Sequence, residues 1–190
     1  MIRIDVSEIK NWELIKKKHS EWYEKKILPN IKKAHTLLLS KKTKDDSIKK
    51  YKELLKKIIE RGENYVIEEE LFLGYDDDEI KNILDLIKKL KNDFKKSNLS
   101  EDYLPHKLFS YDKFPNHTGE WNRHKLLSLM EIEVCPYCQR NYISSFEEND
   151  DKRTTADLDH FYPKSLYPFL ALSLYNFIPS CQICNSRFKG

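Results

Sequence analysis

Through residues 6–94 apolar positions recur every three or four residues among lysines and glutamates, the spacing of helices that each bury one stripe. The stripe is plain over 45–60, where Leu54, Leu55, Ile58 and Ile59 fall together. It returns after Asp76, Asp77, Asp78 and Glu79, whose charges suit a helix N-terminus, as Ile80, Ile83, Leu84, Ile87 and Leu90. Pro29 and Gly62 punctuate the pattern, and the polar run 41–47 predicts a solvated connection. Pro105, Pro115 and Gly119 mark a looser stretch before a short helix over 122–131. Beyond it the pattern shortens to strand length. A strand over 141–146, a polar turn over 147–153 and a returning strand over 154–160 predict a hairpin. The apolar, aromatic run 170–179 is expected to pack against that hairpin, and a final helix to begin near Cys184. The expected class is α+β, with a charged helical region over 1–120 and a small compact unit over 121–190.

Composition limits the choices. No stretch of about 18 apolar residues exists, so no membrane-spanning helix is expected. The net charge is only +3, and residues 135–190 hold six Lys/Arg against six Asp/Glu. Nucleic-acid binding therefore cannot be argued from bulk charge and has to rest on local patches.

All four cysteines fall in two Cys-x-x-Cys pairs, Cys135/Cys138 and Cys181/Cys184. The N-terminus carries no long apolar run, which points to a cytoplasmic chain with reduced thiols. There, paired Cys-x-x-Cys units are metal ligands before they are disulfides, and four thiolates close a tetrahedral zinc site with no open position. Such a zinc is structural. The 42 residues between Cys138 and Cys181 exceed the roughly 15–20 of a simple zinc ribbon, so something is folded inside the loop.

Inside it stand Asp159 and His160. A carboxylate is a hard oxygen ligand suited to magnesium, and a neutral imidazole takes a proton from water near neutral pH. Phosphodiester hydrolysis needs both roles. Adjacent residues on a strand point to opposite faces, so the pair reaches one substrate only from an irregular strand end, which Pro163 supports.

The conjunction of Cys135-Pro-Tyr-Cys138, Asp159-His160-Phe-Tyr-Pro163-Lys164-Ser, Tyr175-Asn176-Phe, Cys181-Gln-Ile-Cys184-Asn185 and Lys189 resembles a zinc-stapled HNH endonuclease. The resemblance covers about residues 132–190 and implies a ββα-metal core similar to a treble clef. It implies His160 as general base with its other ring nitrogen held by a backbone carbonyl. Asp159 and Asn185 would be ligands of a catalytic Mg2+ or Mn2+, and Asn176 a structural brace. Lys164, Arg187 and Lys189 are candidate phosphate contacts. The implied reaction leaves a 5′-phosphate and a 3′-hydroxyl, with DNA favoured over RNA. The sequence stops five residues after Asn185, so the helix carrying it is expected to be cut short.

The motif style and the helical extension are similar to HNH nucleases of bacterial defence systems such as Septu and retron-associated effectors, which pair with an ATPase. No Gly-x-x-x-x-Gly-Lys-Ser/Thr pattern occurs, so the implied ATPase partner is a separate chain, and self-association is a further expected partnership. The competing expectation is a zinc-stabilised binding module with an inert Asp-His. His19, His35, His106, His117 and His124 read as ordinary polar residues, and Trp12, Trp22 and Trp121 as packing anchors.

Overall fold

The computed structural model describes residues 5–69, 77–148 and 151–187, with backbone alone at 77–80, 147–148, 151–152 and 187. Among these residues the chain is α+β and mostly helical, with two small antiparallel sheets. The N-terminal helices are α1 (Trp12–Lys26), α2 (Leu28–Ser40), α3 (Asp46–Arg61) and α4 (Asp77–Lys96). Asp76, at the expected helix start, lies outside the described residues.

Of the expected stripe positions Leu55, Ile58 and Leu90 are buried, while Leu54, Ile59, Ile83, Leu84 and Ile87 are half-buried and flank the stripe that each helix does bury. On α3 this is Ile48, Tyr51, Leu55 and Ile58, and on α2 it is Leu28, Ile31, Ala34 and Leu38. Pro29 does not break a helix, because it sits in the first turn of α2, where its missing N–H has no intrahelical partner to lose. Gly62 ends α3 at φ +59°, a left-handed conformation that costs a side-chain-bearing residue, and its N–H donates to the Ile58 and Ile59 carbonyls. The polar connection from α2 to α3 is shorter than expected, residues 41–45, because Asp46 and Ser47 already belong to α3 and Ser47 is buried, donating to Asp93 Oδ2 at 2.6 Å.

A one-turn helix α5 (Pro105–Leu108) and 3-10 turns lead to α6 (Arg123–Met130), which Asn122 caps by accepting the Lys125 N–H at 2.9 Å. The strands then depart from the expected hairpin. β1 (Ser145–Glu148) pairs with β2 (Asp151–Thr154), and β3 (Ala156–His160) pairs instead with β4 (Phe177–Cys181). The returning strand is therefore two strands. Thr154 breaks it by bonding through Oγ1 with Ser145, with the Ser144 carbonyl and with the Ala156 N–H. The run 170–179 ends as a strand partner rather than a packing layer. Its near-continuous burial from Phe177 to Cys181 hides the period-two alternation that would have marked it. A short helix α7 (Gln182–Arg187) follows β4 directly.

One core runs from Ile9 to Cys184. Its centre is aromatic: Trp22 and Phe114 lie 4.9 Å apart, Phe114 stacks on Phe177 at 6.0 Å, and Trp12 meets Tyr175 edge-on at 5.5 Å. Trp12, Trp22 and Trp121 are buried anchors, as expected. No helix among the described residues is long and apolar enough to cross a membrane.

The loop before β4 is held by its backbone oxygens. Tyr65 Oη donates to Phe169 O at 3.0 Å and Asn176 Nδ2 to Leu170 O at 2.9 Å. His160 Nε2 donates to Ala171 O at 3.0 Å and His19 Nε2 to Leu172 O at 2.8 Å. Four consecutive carbonyls thus meet donors from four separate places in the chain, so the loop has little freedom to shift. His19 is fully buried, and Trp121 Nε1 donates to its Nδ1 at 3.1 Å, which leaves the single ring proton on Nε2.

Burial lowers the His19 imidazole to about 4 from 6.5, against the Leu172 hydrogen bond that raises it. Between those values the unfolded chain binds a proton that the folded chain refuses, so stability falls as pH drops from about 6.5 to about 4. The loss is about 3 kcal/mol from this group. In urea titrations, the stability difference between wild type and His19→Gln is expected to shrink by that order from pH 7 to pH 4.5. A pH-independent difference would contradict the neutral buried imidazole.

Candidate metal centre and acid–imidazole pocket

The four cysteine sulfurs lie within 4.8 Å of one another. Tetrahedral zinc with Zn–S bonds of about 2.3 Å sets the sulfurs about 3.8 Å apart, so the cluster fits a zinc ion with little movement. Local backbone builds the first half. Gln139 takes φ +53°, Gln139 N–H donates to Cys135 O at 2.8 Å, and the backbone N–H groups of Asn141 and Arg140 donate to Cys138, lowering its thiol. The second half stands at the junction of β4 and α7, which supplies Cys181 and Cys184. Asn141 Nδ2 donates to Cys181 Sγ at 3.2 Å, tying the halves together.

The thiol environments are compatible with a cation at the centre of the cluster. Burial opposes ionisation of Cys181, yet hydrogen bonds from Asn141 and the Cys184 backbone outweigh it and hold the thiol down at about 6. Cys184 is pushed up to about 12 by burial and by its sulfur neighbours. Four thiolates cannot share so small a volume without a positive ion among them.

Above the cluster, β3 carries the acids and the imidazole. Asp157 and Asp159 share one face of the strand, and His160 ends it on the other. All five β3 residues line a cavity of about 560 Å³ that no β4 residue lines, so the cavity follows the strand edge that β4 leaves open. That edge is how residues of both faces reach one space. Asp159 is buried: Oδ2 accepts from Tyr137 Oη at 2.8 Å and Oδ1 from the His160 N–H at 2.6 Å. Tyr137 belongs to the first Cys-x-x-Cys, so the metal knuckle itself aims the carboxylate. Burial and the bond to Asp159 raise the Tyr137 hydroxyl well above its usual range and keep it a donor.

His160 is 5% exposed. Its Nε2 faces the Ala171 carbonyl, which can only accept, so the neutral ring keeps its proton there and Nδ1 is the basic nitrogen. Tyr111 meets the ring edge-on at 4.5 Å. Asn176, fully buried, braces the turn behind it: Oδ1 accepts the Tyr162 N–H at 2.8 Å, Nδ2 donates to Tyr162 O and Leu170 O, and its carbonyl accepts the Phe161 N–H.

Asn185 lines the same cavity from α7, and its Nδ2 donates to Asp157 Oδ2 at 3.1 Å. The amide is thereby turned so that Oδ1 is its remaining acceptor. Lys164 also lines the cavity, its ammonium 4.6 Å from the Tyr111 ring centre, while Arg123 lies 3.7 Å from the same centre. Lys189 lies outside the described residues, and of Arg187 only the backbone is described.

Asp159, His160, Asn185 and Lys164 are thus brought to one cavity, with Asn176 behind it. Sequence reasoning missed Tyr137, Asp157, Tyr111, Arg123 and His124. Asp157 was the accessible one, two residues before Asp159 on a strand and so on the same face. The others come from distant segments, and nothing in their spacing marks them.

No family model matches the chain, and no solved structure matches it. The chain is similar to the Septu protein PtuB of Bacillus thuringiensis, 33% identical over 66 residues, which are 34% of this chain. The matched stretch spans 23% of that protein's length.

Cys181→Ser is expected to abolish stoichiometric zinc, measured by atomic emission on the purified chain, and to lower the melting temperature. Wild-type zinc content in that variant would contradict the four-thiolate centre.

Proposed function

We propose that the chain is a metal-dependent endonuclease of the HNH type that hydrolyses phosphodiester bonds in nucleic acid, with DNA favoured. The observation that carries this reading is the orientation of His160, whose Nε2 proton is committed to Ala171 O so that Nδ1 is the basic nitrogen of a ring lining the cavity. A base in that tautomer takes a proton from water as the water attacks phosphorus. Asp159 and the Oδ1 of Asn185 are oxygen donors in the same cavity, the kind a Mg2+ or Mn2+ takes. Such an ion, when bound, offsets charge on the phosphate and on the leaving oxygen.

The chain's own residues do the rest. Tyr137 holds Asp159, Asp157 holds Asn185, and Asn176 fixes the turn after His160, so the groups need no reorganisation when substrate arrives. A zinc on the four cysteines would be a staple, since four thiolates leave it no open position. Lys164 would meet a phosphate at the cavity mouth, with Arg187 and Lys189 as further contacts. The likeness to a Septu protein supports a role in bacterial anti-phage defence, with an ATPase as a separate partner chain.

Plasmid DNA and a structured RNA incubated with magnesium or manganese provide the test. Wild type is expected to cleave DNA, and His160→Ala to be slower by about a hundredfold or more. Equal cleavage by both proteins would remove His160 from the chemistry. Binding without cleavage by wild type would favour a zinc-stabilised binding module.

A further inference from the structure

Beside the acids and His160, the cavity has a second end built by residues 111–124 and α6. His124, the second residue of α6, is 1% exposed and lines this end. Its Nε2 donates to two carbonyls of the β1–β2 hairpin, Phe146 O at 3.1 Å and Arg153 O at 3.2 Å. Nδ1 is buried and has no partner among the described residues. The preceding residue repeats the pattern, with Arg123 Nε buried and unpartnered. Two orphaned buried polar atoms on neighbouring residues that line one cavity are costly unless a ligand meets them.

The charges say which ligand. Arg123 spends its terminal nitrogens on Asn116 Oδ1 at 2.6 Å and Tyr111 O at 2.8 Å, neither of them charged. No carboxylate among the described residues lies within ion-pair distance of Arg123 or Lys164. Both cations rest against the Tyr111 ring that also touches His160, and His117 lies 5.7 Å from His124, ring centre to ring centre. Asp112 acts on Arg123 from a distance, and Asp157 and Asp159 line the same cavity, but neither cation is bound to a carboxylate, and two such cations beside a buried imidazole favour an anion.

We infer that this end of the cavity is a second phosphate subsite, taking a backbone phosphate next to the one cleaved, with His124 Nδ1 as its buried hydrogen-bond donor. The inference rests on the proposed nuclease reading for the identity of its anion. A proton from solvent joins Nδ1 when the phosphate binds, and the hairpin carbonyls stabilise the ring's other N–H. Arg123 and Lys164 supply the surrounding charge. His124 thus contributes to binding, whereas His160 acts in the bond-breaking step.

His124→Gln separates these roles, because a glutamine Nε2 can keep the bonds to Phe146 O and Arg153 O while Nδ1 is lost. With the full chain and a fluorescein-labelled DNA oligonucleotide, the variant is expected to bind about tenfold more weakly, with KM raised alike and kcat within about twofold of wild type. Binding needs no cleavage, so a chain that proves not to be a nuclease still answers the question. Should the variant fail to fold, the wild-type His124 ring is read by nitrogen-edited NMR, where a new Nδ1–H signal is expected on adding the oligonucleotide. Unchanged affinity in the variant, a kcat loss at unchanged affinity, no new ring proton, or no binding by wild type would each overturn the subsite.

Discussion

Four backbone carbonyls in a row, from Phe169 to Leu172, are the constraint on which the site depends. Each accepts a different donor: Tyr65 after α3, Asn176 before β4, His160 at the end of β3, and His19 on α1. Because a carbonyl only accepts, the Ala171 oxygen selects one tautomer of His160 and so decides which ring nitrogen is basic. Because the neighbouring carbonyls are bonded to the helices, that choice is referred to the whole core. This gives the helical region a function that no motif in it announces. It is the frame against which the imidazole is set.

A second constraint reaches the site from the opposite side. The first Cys-x-x-Cys places Tyr137 under Asp159, while Cys184 is followed directly by Asn185. A zinc held by the four sulfurs would join the two knuckles, and with them Asp159 and Asn185. The 42 residues between the pairs hold β1, β2, β3 and the bonded loop before β4. Their length is the space needed for a strand that lines the cavity and for the loop that orients His160.

The local part of this design was legible in the sequence. Helix stripes on α2 and α3, the cap of α3 at Gly62 and the four cysteines follow from spacing alone, because each depends on residues within a few positions. Strand pairing was less legible. β3 and β4 are buried almost throughout, so alternation could not say which strands are partners, and Thr154 splits the run with bonds that propensity does not encode. Asp157 could have been found by period two. His19, His124, Arg123 and Tyr111 could not, since they matter through contacts across some 12 to 153 positions, such as Arg123 against Tyr111 and Leu172 against His19. The long-range bonds of His19 and His124 leave no mark in the local spacing of either residue.

The proposed chemistry turns on His160 carrying its proton on Nε2, against the Ala171 carbonyl, and its lone pair on Nδ1. Long-range proton–nitrogen correlation NMR on the nitrogen-labelled chain near neutral pH reads this directly. His160 Nε2 is expected to resonate as the proton-bearing nitrogen and Nδ1 as the unprotonated one, with Ala171 as the acceptor by through-bond coupling. A His160 ring protonated on Nδ1 and bare on Nε2 would contradict it.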